Sequence, residues 1–286
     1  MEIFRALGVF AEPPSQELQA LADALELGEL PRVEDYTELF LFQLLPYASI
    51  YLGSEGKLGG EAQDRIAGFW RAIGQTPPTE PDHLTTLLAM FAEILQHEED
   101  AVAELARSSW RNAWRAFMWE HLISWMPFYL DRVEAMGHPF YCRWSILLKQ
   151  ALVDQTIDIQ AQTLLPVHLS NASTLADPRD HGFTEFLDSL LSPVRSGLII
   201  TRKDISQAAG ALGLGSRIGE RKFALTALVK QDARGVLGWL SRNAFEASAK
   251  HVSYLTQIGP IAEFWSGRAR ETGKLLEELS LQAPGR

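Results

Sequence analysis

The chain is short of cysteine and of long apolar runs, and each shortage excludes a class of protein. Cys142 is the one cysteine among 286 residues, so the sequence offers no disulfide, no zinc knuckle and no CxxC redox pair. No stretch approaches the roughly 18 consecutive apolar residues of a membrane-spanning helix. The first fifteen residues also lack the basic and apolar regions of a secretory signal. We therefore expect a soluble, cytoplasmic protein.

Basic residues are outnumbered, and the two ends of the chain differ in charge. The chain carries 36 Asp and Glu against 26 Lys and Arg, a formal net charge of −10. This acidity argues against a nucleic-acid binder. Residues 1–150 hold 22 acidic and 11 basic residues, whereas residues 151–286 hold 14 and 15. The asymmetry indicates two regions with different roles.

Signatures of catalysis and of cofactor binding are missing. None of the seven histidines stands four residues from another, the spacing that lets two imidazoles share a metal. The sequence has no GxSxG motif and no phosphate-binding GxxxxGK[ST] motif. A glycine-rich run from Gly210 onward follows a predicted helix rather than a strand, so it lacks the context of a dinucleotide site. We predict a protein that is not an enzyme, with no catalytic residues and no metal or cofactor of its own.

Most of the chain has the periodicity of helices, which predicts an all-α fold. The apolar stripe of one such helix is Leu84, Leu87, Leu88, Phe91 and Leu95. Only residues 197–201 have the composition of a strand, and they are too few to carry a sheet. The polar, proline-containing segment at residues 166–183 indicates a domain boundary. The predicted organisation is a domain over 1–165, a linker over 166–182 and a helical extension over 183–286.

The basic region between residues 195 and 234 has two interpretations. Thr201 or Asp204 as a helix cap and Gly213–Gly215 as a turn would form a helix-turn-helix over residues 201–222, which is typical of a transcriptional regulator. The same pattern is typical of an ordinary helical hairpin that serves as a second surface for a client protein. The residues of that surface would be Arg195, Arg202, Arg217, Arg221 and Lys222.

Four segments occur in an order that is more specific than any one of them. They are YTELFLFQLLPYASIYL at 36–52, KLGGEAQDRIAGFWRAIG at 57–74, PDHLTTLLAMFAEIL at 81–95 and HLISWMPFYLDRV at 121–133. This arrangement resembles the TorD/DmsD/NarJ family, the cytosolic chaperones that mature molybdenum-containing redox enzymes. The Asp82-His83 pair matches the hallmark of that family, and its direct attachment to Pro81 is similar to the NarJ-like branch.

The resemblance implies a fold, a function and partners. The fold would be a TorD-like helical bundle with a helical C-terminal extension. The protein would bind the apo catalytic subunit of a molybdopterin-dependent oxidoreductase, and its twin-arginine signal peptide where there is one, until the cofactor is inserted. Such a leader is cationic and is followed by an apolar stretch, so its recognition requires carboxylates beside an apolar surface.

The resemblance and this chemistry together select a candidate client-binding site in the acidic region. Its residues are Tyr47, Phe69, Trp70, Glu80, Pro81, Asp82, His83, His121 and Trp125. We expect Glu80 and Asp82 to supply carboxylates, and the Asp82-His83 pair to be exposed enough to contact a client. The alternative is local: Asp82 caps the helix that follows and stabilises it by about 1 kcal/mol, with no part in binding.

Overall fold

The computed structural model describes residues 2–157, 159 and 163–284. Within those ranges the chain forms sixteen α-helices and no β-strand, which confirms the predicted all-α fold. The helices are α1 (Glu2–Gly8), α2 (Gln19–Ala24), α3 (Val33–Tyr36), α4 (Ala48–Leu52), α5 (Gly60–Ala72), α6 (Leu84–Asp100), α7 (Glu104–Phe117), α8 (Met126–Met136), α9 (Pro139–Thr156), α10 (Val167–Ser170), α11 (Pro178–Leu190), α12 (Pro193–Ser196), α13 (Arg202–Leu212), α14 (Arg221–Gln231), α15 (Ala233–Val252) and α16 (Leu255–Gln282).

The chain divides into two compact units that are not contiguous in sequence. The first unit contains Met1–Ser49 and Leu58–Val167, and the second contains Ile50–Lys57 and His168–Arg286. The patterns of the sequence do not predict that Ile50–Lys57 belongs to the second unit. Among the described residues, no helix is long and apolar enough to cross a membrane.

The core of the first unit is built from aromatic rings whose polar atoms bind backbone carbonyls. The indole N–H of Trp144 donates to the carbonyl of Leu7 (2.8 Å), and the hydroxyl of Tyr129 donates to the carbonyl of Leu44 (3.0 Å). Both rings are fully buried. Because a buried donor without a partner is costly, these bonds hold α9 to the end of α1 and hold α8 to the segment before α4.

A π-helical segment interrupts the region that the apolar pattern assigns to one continuous helix from Arg32 to about Leu45. Helix α3 gives way to π-helical turns over Thr37–Gln43, which end when the N–H of Leu44 donates to the carbonyl of Leu39 (2.7 Å). A run that is apolar on all sides gives no preference for one helical period over another. The widened turns lead directly into Pro46 and the candidate site.

In the second unit, α15 and α16 form an antiparallel hairpin in contact through small side chains. The hydroxyl of Ser241 donates to the carbonyl of Gly273 (2.9 Å), and the hydroxyls of Ser248 and Ser266 lie 3.0 Å apart. Helix α16 bends near its start, where Gly259 has a φ of 21° and Pro260 lacks the N–H that a straight helix would use.

Helix α13 begins as its sequence predicts. Thr201 is its N-cap, and the Thr201 hydroxyl accepts from the N–H of Asp204 (3.2 Å) while the Asp204 carboxylate accepts the N–H of Thr201 (2.7 Å). This reciprocal capping box fixes the first turn. The preceding residues 197–201 form no strand, as expected.

Candidate functional site

Two loop segments of the first unit run side by side, one leading into α4 and the other into α6. The N–H of Ala48 donates to the carbonyl of Asp82 (3.0 Å), and the N–H of Leu84 donates to the carbonyl of Pro46 (2.8 Å). These two bonds form an isolated antiparallel bridge, with one residue of each segment between them. The side chains of the candidate site therefore project from a backbone that is fixed by its own hydrogen bonds.

Asp82 is the anchor of this junction and is fully buried. Its Oδ2 accepts the backbone N–H of Ser49 (3.1 Å), and its Oδ1 accepts the side-chain amide of Gln63 on α5 (3.0 Å). The N-cap of α6 is His83, not Asp82. The expectation that Asp82 offers an exposed carboxylate to a client is therefore wrong, because burial and two internal bonds occupy that carboxylate. The capping alternative is wrong as well.

His83 lies beneath the surface, with 6% of the residue exposed. Its Nδ1 is 3.4 Å from Oε1 of Glu12, and its ring meets the Tyr47 ring edge-on, with 4.8 Å between the centroids. Burial lowers the pKa of His83 and outweighs the opposing influence of Glu12, Glu80 and Asp82. The imidazole is therefore neutral at neutral pH. The expectation that His83 is exposed enough to contact a client is wrong.

Tyr47 and Glu80 form the accessible edge of the same junction. The Tyr47 hydroxyl donates to Oε1 of Glu80 (2.9 Å), and burial together with that carboxylate raises the pKa of Tyr47. Glu80 is exposed and Tyr47 is half-buried, whereas Pro81 is buried. About half of the Glu12 side chain (48%) is exposed. The rim that faces solvent thus carries two carboxylates and the edge of a tyrosine.

The other candidate residues form a separate aromatic group. The Phe69 ring on α5 lies 4.9 Å from Phe117 and 5.5 Å from His121, centroid to centroid. His121 is 6% exposed, and the fully buried Trp125 donates its indole N–H to the His121 carbonyl (2.9 Å). His121 and Trp125 are therefore buried residues of the core. Phe69 and Trp70 are the half-buried residues among these four candidates. A role for these four residues in client binding stays a prediction.

Glu12 and Gln63 belong to the site, although sequence reasoning did not select them. Glu12 is far in sequence from His83, and Gln63 is far from Asp82. The fold brings each pair together, and no helical spacing links them. Glu12 follows the short 3-10 turn Val9–Ala11, and Gln63 lies one turn into α5. Neither position carries a motif that distinguishes it from the many other polar residues of this acidic region.

The predicted second surface is mostly committed to contacts within its own unit. Two of its five members, Arg202 and Arg217, are exposed. The other three bind neighbours: Arg195 binds Glu185 (2.8 Å), Arg221 binds the carbonyl of Ile200 (2.7 Å) and Lys222 binds Asp188 (2.6 Å).

The same contacts weaken the helix-turn-helix interpretation of residues 201–222. The connection between α13 and α14 is Gly213–Glu220, whereas a helix-turn-helix uses a turn of about three or four residues. Arg221 is half-buried and its guanidinium already donates to the carbonyl of Ile200, and burial lowers its pKa, so it is poorly placed to bind DNA phosphates. This region is better described as a helical hairpin with a long loop. Among the described residues, no group of three or more His, Cys, Asp or Glu side chains is placed to hold a metal ion.

Comparison with known proteins finds similarity over part of the first unit. Residues 10–130 match the family model described as the nitrate reductase delta subunit. Two relatives are 30% identical to this chain over 122 residues. Both are named chaperone protein TorD, one from Vibrio vulnificus strain YJ016 and the other from strain CMCP6. Those alignments cover 37% of this chain and 53% of each relative, so the chain spans about half the length of the curated relatives it matches.

The matched region contains the whole junction, from Glu12 to His83. Over residues 10–130 the chain is similar to the NarJ/TorD-type chaperone family, which supports the resemblance seen in the sequence. The second unit, apart from Ile50–Lys57, lies outside the matched region.

Proposed function

We propose that this protein is a cytoplasmic chaperone that matures a molybdenum-containing oxidoreductase and catalyses no reaction itself. It binds the immature catalytic subunit, and the twin-arginine leader of that subunit where there is one, and it holds the subunit until the molybdopterin cofactor has been inserted. The observation that carries this proposal is the family match over residues 10–130, because that region contains the entire junction around Asp82.

The geometry of the junction supports a binding role. A buried carboxylate and two backbone bonds hold the loop segments still, so the exposed Glu80 and Glu12 are presented from a rigid frame. Rigid presentation reduces the entropy that binding would otherwise cost. An acidic rim beside the half-buried ring of Tyr47 suits a cationic segment that is followed by apolar residues.

The proposal assigns different roles to the two parts of the chain. Residues 1–165 form the client-binding domain, which carries the acidic rim, and residues 183–286 form an extension joined through the linker at 166–182. Arg202 and Arg217 are the exposed members of the predicted second surface in that extension. They suit an acidic surface on the client and would repel its cationic leader.

A maturation assay tests this function. Each molybdopterin oxidoreductase of the host organism is produced with and without the full-length protein, and molybdopterin content and activity are measured in the purified subunit. We expect one subunit to lose most of its cofactor when the protein is missing and to recover it when the protein is restored. Full cofactor content in every subunit without the protein would contradict the proposal.

A further inference from the structure

The corner between α6 and α7, residues 99–105, presents apolar side chains to solvent. Val102 is 98% exposed and Leu105 is 83% exposed. The backbone that carries them is fixed, because the guanidinium of Arg107 donates to the carbonyl of Ala101 (2.9 Å). Single exposed apolar side chains are ordinary, but two large ones on one fixed corner form a surface that a partner can cover.

The charged side chains of this corner are all acidic. Glu99, Asp100 and Glu104 are exposed, and residues 99–105 contain no lysine or arginine. Glu104 lies 3.8 Å from Arg107. Among the described residues, neither Glu99 nor Asp100 forms an ion pair. We call residues 99–105 the acidic corner.

The loop between α13 and α14, together with the first turn of α14, is a second exposed apolar surface. It covers residues 213–223. Ile218 is completely exposed, and 52% of Phe223 is exposed. The loop is held in place by the side-chain amide of Gln231, which accepts the N–H of Gly215 and donates to the carbonyl of the same residue, both at 2.9 Å. The exposed side chains therefore project from a fixed backbone, as they do at the acidic corner.

Basic side chains outnumber acidic ones on the surface around this loop. Between residues 195 and 234 one acidic residue is exposed, Glu220. Four basic residues are exposed in the same range: Arg202, Arg217, Lys230 and Arg234. Arg217 stands next to Ile218 and forms no ion pair within the part of the chain that the structure describes. We call residues 213–223 the basic loop.

The charges of the two surfaces decide how they can pair. Like charges oppose a contact of corner with corner or of loop with loop. Opposite charges and exposed apolar side chains on both surfaces favour a contact between the corner of one molecule and the loop of another. Such a contact is heterologous, because each molecule contributes a different surface.

We propose that the chain binds a second copy of itself, with the acidic corner of one molecule against the basic loop of the other. Leu105 and Ile218 supply the apolar centre of the contact, and the carboxylates of the corner and Arg217 supply its charged rim. A corner and a loop cover less than the roughly 1,200 Å² of a stable interface, so we expect a dissociation constant on the order of tens of micromolar. The inference goes beyond the proposed function and requires no client.

Sedimentation of the full-length protein tests the contact. We expect the average mass of the wild type to rise above that of one chain as the concentration increases through about 100 µM. Leu105→Ser and Ile218→Ser each remove an exposed apolar side chain, and we expect each to lower the association constant at least about tenfold. Leu164→Ser and Leu281→Ser change leucines that are 77% and 69% exposed elsewhere. These two controls should change the association constant less than about twofold.

Mixing two variants identifies the contact as heterologous. Leu105→Ser keeps an intact basic loop, and Ile218→Ser keeps an intact acidic corner. An equimolar mixture therefore regains one intact contact for each pair of molecules. We expect the mixture to form complexes of two chains and none larger, at concentrations where each variant alone stays monomeric. A contact of one surface with its own copy would show no such rescue.

Three outcomes would each overturn the inference. The first is a wild type that stays monomeric at every concentration, in which case a different protein would be the occupant of the two surfaces. The second is association of Leu105→Ser or Ile218→Ser as strong as that of the wild type. The third is a mixture that associates no more than its two components do alone. The melting temperatures of all four variants should match the wild type, because each change is at an exposed position.

Discussion

The carboxylate of Asp82 accepts the backbone N–H of Ser49 at 3.1 Å, across 33 positions of sequence. With Gln63 as a second donor at 3.0 Å, this one side chain joins the first turn of α4, the start of α6 and the body of α5. The most recognisable residue of the sequence motif therefore acts by positioning the loop, and the residues that present charge to solvent are its neighbours.

Removing the Asp82 carboxylate is expected to destabilise the fold. Asp82→Ala leaves the Ser49 N–H and the Gln63 amide without acceptors in a buried position, and we expect the free energy of unfolding to fall by about 2–4 kcal/mol. Chemical denaturation followed by circular dichroism measures this loss. Asp64→Ala, at an exposed position of the same α5 region, is the control and should change stability by less than about 0.5 kcal/mol. Equal stability of the two variants would show that Asp82 does not anchor the junction.

The buried imidazole of His83 predicts a pH dependence of stability. Burial holds the pKa of His83 below its ordinary value of 6.5, so below that pH the unfolded chain binds a proton that the folded chain does not. The free energy of unfolding should therefore fall as the pH is lowered from about 6.5 toward the folded-state pKa. In His83→Gln that decline should be shallower, and denaturation curves between pH 7 and pH 5 measure it.

A control variant at a second histidine tests whether the pH dependence of stability belongs to His83. His181→Gln replaces an exposed histidine of the second unit, and its stability should follow the wild-type curve. A decline in His83→Gln as steep as in the wild type would show that His83 does not titrate as its burial implies.

Gly197 makes a close approach in the second unit that no other residue can make. Its φ is +73°, and a Cβ at this position would collide with the backbone of Ala269. We expect Gly197→Ala to lower the free energy of unfolding by about 3 kcal/mol or more. Gly210→Ala, in α13 with open space around it, should instead raise stability by about 0.5 kcal/mol. Thermal melts of both variants test the pair, and equal melting temperatures would contradict the packing described here.

Helix positions followed from local chemistry, so much of the fold could be predicted from the sequence. Pro139 at the first position of α9 and the left-handed Gly137 that ends α8 are local signals, as is the capping box at Thr201. Bends in helices and changes from α-helical to π-helical turns were harder to predict from the sequence. Pro127 lies in the first turn of α8, and π-helical turns over Met118–Leu122 precede that helix.

The site was only partly predictable for a different reason. Sequence order identified Tyr47, Glu80 and His83, and the structure brings these residues together. Exposure could not be inferred in the same way, since Asp82 is buried by partners far along the chain. Glu12 reaches the site through the path of the chain after α1 and carries no motif. Long-range pairing thus decides which carboxylates face solvent, and a single sequence contains little information about it.

The measurement that tests the central claim most directly compares one subunit in two states. The full-length protein is immobilised, and the catalytic subunit identified by the maturation assay is applied as the apo form and as the cofactor-loaded form. Because a maturation chaperone must release its finished client, we expect the apo subunit to be retained at least about tenfold more strongly. Equal retention of the two forms, or retention of neither, would contradict the assignment.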